Sequence, residues 1–127
     1  MKIATTIARY LLGLIFVVFG LNAFFNFIPM PPPSGQAAAF MGALFTSGYL
    51  YAIKVLEILG GVLLLASKRT TPLGLLILGP IVVNIILFSL FLAPSGLGMA
   101  TVVGVLALFL LGAHRRAFAG VVQPPVA

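Results

Sequence analysis

Four apolar runs, at about 7–27, 49–66, 72–92 and 98–113, take up most of this 127-residue chain. Each approaches the ~20 residues that an α-helix needs to cross a ~30 Å hydrocarbon core. In hydrocarbon a backbone must satisfy its own polar groups, so runs of this length become helices. Composition agrees: the chain is 62% hydrophobic and 6% charged, where a soluble domain is roughly half apolar and a quarter charged. The expected fold class is all-α, an integral membrane four-helix bundle in a single domain over 1–127, with a short extra helix between the first and second spans.

The breaks between runs have their own chemistry. Residues 28–36 read IPMPPPSGQ; Pro31, Pro32 and Pro33 lack amide donors and favour an extended path. Ser34 is placed to N-cap a new helix, an Ala-rich segment from about Gln36 to Phe45. Ser47-Gly48 interrupts it, and one continuous helix through to Ala66 is the alternative. Tyr49 and Tyr51 suit an interfacial aromatic anchor. SKRTT at 67–71 is a polar loop, and Pro72 fits the first turn of the third span. Gly79-Pro80 lies inside that span and should bend it, since Pro80 removes an internal hydrogen bond. APSGL at 93–97 is a turn, His114-Arg115-Arg116 ends the fourth span, and Gln123-Pro124-Pro125 marks a frayed tail. A cleaved secretory signal is the competing reading of the first run, with Ala37-Ala38-Ala39 as cleavage site. The run exceeds the 7–15 residues of a signal core, and a retained helix is expected.

The net charge of +6 does not point to nucleic acid, because the cations stand at the ends of apolar runs. Lys2 and Arg9 flank the start of the first, Lys68 and Arg69 fill the second connection, and Arg115 and Arg116 follow the fourth. The first and third connections carry no charge. With four spans all these cations fall on one side, which implies a multi-pass membrane protein with both termini cytoplasmic. Cysteine is absent, which excludes disulfides, thiol relays and thiolate ligands. One His and one acidic residue cannot build an all-protein metal site.

That acidic residue is Glu57, three positions after Lys54 in KVLEILGG. Ionisable groups at such depth are costly and mark a site by default. Helix rise places Glu57 near mid-membrane and Lys54 about 8 Å inside the outer end. Asn22 and Asn26 share a face of the first helix at i, i+4, with Asn84, Ser89 and Thr101 in the middle and outer half of the later spans. The inner half reads as nearly all aliphatic. The expectation is a polar pocket open to the outer side, lined by Lys54, Glu57, Asn22, Asn26, Asn84 and Ser89. The alternative is structural: Asn, Ser and Thr bond membrane helices together, and Lys54 and Glu57 neutralise each other. Arg9 reads as a snorkelling anchor. Gly13 with Gly20, Gly60-Gly61, and Ala100 with Gly104 read as close-packing positions.

RYLLGLIFVVFGLN at 9–22, PMPPPSG at 29–35, KVLEILGG at 54–61 and PLGLLILGPIVVNIILF at 72–88 together resemble the DoxX-like family of small bacterial membrane proteins. The resemblance covers about residues 7–118, and its most specific element is K-x-x-E-x-x-G-G. It implies a four-helix transmembrane bundle, carries Arg9, Lys54, Glu57 and Asn84 over as family-type positions, and brings a link to thiosulfate:quinone oxidoreduction and other redox systems. Where several relatives of this type carry histidine, this chain has Asn26 and Ser89, which sets metal or haem aside. The function expected is a non-catalytic or accessory protein of a redox or quinone-linked system. Its ligand would be a quinone, lipid or small amphiphile, with membrane lipid and further membrane subunits as partners. Lys54 would donate to a ligand carbonyl, and Asn22 and Asn84 would add hydrogen bonds. A structural subunit of a larger complex is the second reading. A small transporter is the third, weakened because KVLEILGG has no repeat in the other half of the chain.

Overall fold

The computed structural model describes residues 2–29 and 32–122. Helices α1 (Lys2–Phe25), α2 (Gly35–Ser47), α3 (Tyr49–Ala66), α4 (Thr71–Phe91), α5 (Leu97–Ala113) and α6 (Arg115–Val122) follow in order, with a 3₁₀ turn at Pro94–Gly96 before α5. Four of these helices are long and apolar enough to cross a membrane: α1, α3, α4, and α5 with its preceding turn. Leu14, Val55, Leu59, Leu76, Val83 and Leu108 all face outward. Water would not tolerate that much contiguous apolar surface, whereas lipid tails match it.

Glycines set how closely the bundle packs. A Cβ on Gly61 of α3 would stand 2.8 Å from the Gly13 carbonyl oxygen of α1, and one on Gly60 would stand 2.5 Å from Leu78 Cγ of α4. A Cβ on Gly74 of α4 would lie 2.8 Å from the Gly60 carbonyl oxygen. The Gly60-Gly61 pair thus brings α1 to one side of α3 and α4 to the other, at backbone contact. Gly20 repeats the device two turns along α1, against Ile58 and the Lys54 carbonyl. Around this seam Leu12, Phe16, Leu64, Leu75, Leu78, Val82, Val103 and Leu110 make one buried core.

Neighbouring spans run antiparallel, so the start of α1, the α3–α4 connection and the end of α5 share one end of the bundle. Lys2, Lys68, Arg69, Arg115 and Arg116 all lie there, and we call it the basic end. Its connection is tight: Thr70 Oγ1 donates to the Leu63 carbonyl at 2.6 Å and Thr71 Oγ1 to the Ser67 carbonyl at 2.8 Å, using carbonyls that helix ends leave free.

At the opposite, neutral end the extra helix is separate from the second span. Gly48 is left-handed (φ 82°), its amide bonds the Phe45 carbonyl at 3.2 Å, and α3 starts afresh at Tyr49. Left-handed backbone favours glycine, and here it is the break. Ser34 stands at the start of α2 in extended conformation but its side chain makes no cap hydrogen bond. The turn is made instead by Gly35 at φ 61°. Two rings tie α2 down: Phe45 packs at a tilt against Tyr51 of α3 (5.5 Å between centroids) and Phe40 against Phe88 of α4 (5.6 Å). Beyond α5, where the sequence suggested an ending, Arg115–Val122 forms α6. Gln123, Pro124 and Pro125, read as a frayed tail, lie outside the described residues, as does Pro31.

Candidate functional site

Lys54 and Glu57 sit one helical turn apart on α3, just outward of the Gly60-Gly61 seam. Because α1 and α4 press on that seam, Glu57 is drawn into the interior: its side chain is 6% exposed, against 22% for Lys54. Lys54 Nζ lies 3.4 Å from both Glu57 oxygens. Charge-assisted N–H···O bonds close to about 2.7–2.9 Å. This pair is therefore a loose electrostatic contact. The ammonium has three donors, and among the described residues Glu57 is its only recorded acceptor.

Tyr51, one turn outward on the same helix, carries the next layer. Its ring packs against Phe24 of α1 (5.3 Å) and Phe45 of α2. This aromatic cluster joins three helices over the neutral-end side of Lys54. Tyr51 is half-buried, whereas Tyr49 is 62% exposed and does suit an interfacial anchor. The spacing held a signal for this, since Tyr51 and Lys54 at i, i+3 share a face.

The remaining polar residues are dispersed. Asn22 is buried, but its amide is spent on the chain after α1: Nδ2 donates to the Ile28 carbonyl at 3.1 Å and Oδ1 accepts from the Ile28 amide at 2.7 Å. Asn26 does not share its face, because α1 has already ended. Asn26 is left-handed (φ 51°), with its amide on the Asn22 carbonyl at 2.8 Å. This is the asparagine form of a left-handed helix stop. Asn84 is exposed, on the opposite side of α4 from the buried Leu78 and Val82. Ser89 is buried, close to Gly96. Thr101 is exposed and donates back to the Leu97 carbonyl at 2.7 Å.

Two shallow, open surface hollows lie among the described residues, and neither touches the pair. One, of about 280 Å³, lies between α4 and α5 against Ile86, Leu90, Thr101 and Gly104. The other, of about 220 Å³, runs along Lys2, Ile3, Thr6 and Ile7. Nor is the basic-end half purely aliphatic. Arg9 is 6% exposed, its Nε and Nη1 have no hydrogen-bond partner among the described residues, and its guanidinium carbon rests 4.8 Å from the Tyr10 ring centroid. The snorkelling expectation fails there. His114 uses Nδ1 on the Leu110 carbonyl at 3.0 Å.

Residues 4–90, from the start of α1 nearly to the end of α4, match the DoxX family. The chain belongs to the DoxX family. No curated protein and no solved structure matches it. The matched segment of this DoxX protein holds Arg9, Lys54, Glu57, Asn84 and both glycines of the seam, and leaves α5 and α6 outside.

Proposed function

We propose that this DoxX protein is an accessory, non-catalytic component of a redox or quinone-linked system in the bacterial inner membrane, and that Lys54 and Glu57 receive a quinone, lipid or small amphiphile. The observation that carries this reading is the looseness of the pair. An ammonium with donors to spare stands 3.4 Å from each oxygen of a buried carboxylate, so a ligand carbonyl can accept a hydrogen bond from Lys54 while the ammonium stays charged and balances Glu57. The aromatic cluster of Phe24, Phe45 and Tyr51 would offer a flat ring its apolar contacts, with α2 lying over it as a lid.

Extraction of the protein purified in mild detergent, followed by mass spectrometry, tests the proposal. A quinone is expected to co-purify, and Lys54→Met with Glu57→Leu should retain it roughly tenfold less, the loss of one charged hydrogen bond. Equal retention by the folded double variant would remove the site. A second reading, as structural subunit of a larger complex, is favoured by Asn84. An amide facing out from α4 at hydrocarbon depth is a hydrogen-bonding handle for another membrane helix. A stoichiometric subunit that is lost with Asn84→Leu would support that reading in place of the first.

For orientation we propose that the basic end is cytoplasmic, because Lys and Arg are retained on that side. Reporter fusions after Thr70 and after Ala119 should read cytoplasmic and one after Ser34 external. An external reading after Ala119 would reverse the assignment.

A further inference from the structure

We propose that Arg9, with Lys2 and Thr6, forms a binding site at the basic end of α1 for the phosphodiester of an anionic phospholipid. The starting observation is a buried cation whose Nε and Nη1 find no hydrogen-bond partner among the described residues. Arg9 is 6% exposed. The Tyr10 ring at 4.8 Å offers quadrupole attraction but no acceptor. No other side chain of this protein can neutralise it. Glu57 is the only acidic residue, it is bound to Lys54, and it lies on the far side of the Gly13–Gly61 contact from Arg9. Among the described residues no group supplies the counter-charge, and here it is assigned to a lipid.

Helix geometry says where that charge would sit. Lys2, Thr6 and Arg9, at i, i+4 and i+7, fall within roughly 60° of arc on α1. Side chains on a helix lean toward its N-terminus, so a rotamer of Arg9 can reach the turn that leads to Thr6. Just beyond lies the 220 Å³ hollow whose described lining is Lys2, Ile3, Thr6 and Ile7. The hollow is open to its surroundings, and its volume leaves room for a phosphate group. The lining pairs an ammonium and a hydroxyl with two aliphatic chains, as a headgroup attached to acyl chains would require. Depth agrees as well. The 24-residue α1 is about 36 Å long, so a ~30 Å core measured from Phe25 ends near Thr6. Arg9 then stands one turn inside the boundary where lipid phosphates meet their acyl chains. Lys68, Arg69, Arg115 and Arg116 at the same end concentrate anionic lipid there. The planar guanidinium, once turned toward Thr6, matches two phosphate oxygens.

The test uses the purified full chain in neutral detergent, titrated with phosphatidylglycerol, with phosphatidylcholine and with inorganic phosphate. Retained lipid is read by native mass spectrometry and melting temperature in parallel. We expect phosphatidylglycerol to be held at least about tenfold better than phosphatidylcholine. Arg9→Met should bring the ratio close to one, while Lys68→Ala with Arg69→Ala should leave most of it. If Arg9→Met does not fold, Lys2→Ala with Thr6→Val at the rim should still lower the preference severalfold. Four results would each overturn the proposal. They are no preference in the wild type, a preference that survives Arg9→Met or the rim variant, stabilisation by inorganic phosphate equal to that by the lipid, and a co-purifying subunit whose loss, rather than lipid exchange, destabilises the protein.

Discussion

Gly61→Leu should separate α1 from α3 and leave the protein unable to hold its fold in detergent, while Gly61→Ala should cost about 1–3 kcal/mol. The reason is what the new atom meets. A Cβ on Gly61 would stand 2.8 Å from the Gly13 carbonyl oxygen and 3.1 Å from the Val17 amide nitrogen, and backbone in a packed helix cannot move aside. Gly60 differs in kind. Its Cβ would collide with the Leu78 side chain at 2.5 Å, so Gly60→Ala should be largely rescued by Leu78→Ala, whereas no side-chain change on α1 should rescue Gly61→Leu. Gly42, with open space around it on α2, is the control: Gly42→Ala should be neutral or stabilising by up to about 1 kcal/mol, from helix propensity alone. Melting temperatures of the five variants read the result. A Gly61→Leu protein that melts with the wild type would mean that the α1–α3 contact does not hold the bundle.

The seam was legible in the sequence because small residues have few other uses in a membrane helix. The spans were legible because bilayer thickness fixes their length, and the Gly48 break because left-handed backbone leaves few choices of residue. Rotation about each helix axis was not legible. In a soluble helix the polar stripe points outward, but here the outward face is as apolar as the inward one, so nothing in the pattern separates Leu76, facing lipid, from Leu78, in the core. The same loss of signal hid the burial of Arg9, which reads as snorkelling from its position near a helix end. It also hid the outward face of Asn84, which reads as one more wall of a pocket. Asn22 and Asn26 were misjudged for a different reason. Their i, i+4 spacing implies a shared face only while the helix continues, and the Asn22 side chain, by bonding Ile28, helps to end it. The α6 helix follows a cap at His114, and charge at the end of a span gives no hint of what comes after.

Removing either charge of the Lys54–Glu57 pair alone should destabilise the protein by about 3 kcal/mol or more, and removing both should cost much less. Glu57→Gln leaves the Lys54 ammonium among apolar neighbours with no counter-charge, and Lys54→Met does the same to the Glu57 carboxylate. Loss of one partner from a buried pair typically costs about 3–5 kcal/mol, while replacing both with apolar groups of similar volume is often neutral. Lys54→Met with Glu57→Leu should therefore melt above both singles, giving a coupling well beyond the ~0.5 kcal/mol expected of independent sites. The 3.4 Å separation sets a second expectation. A pair this loose gains little from its own hydrogen bonding, so the double variant should approach wild-type stability in detergent while losing ligand retention. A merely structural pair would show the coupling with no change in what the protein carries. A ligand site would show both. Additive melting-temperature losses would mean that the two charges do not sense each other, and would take the site with them.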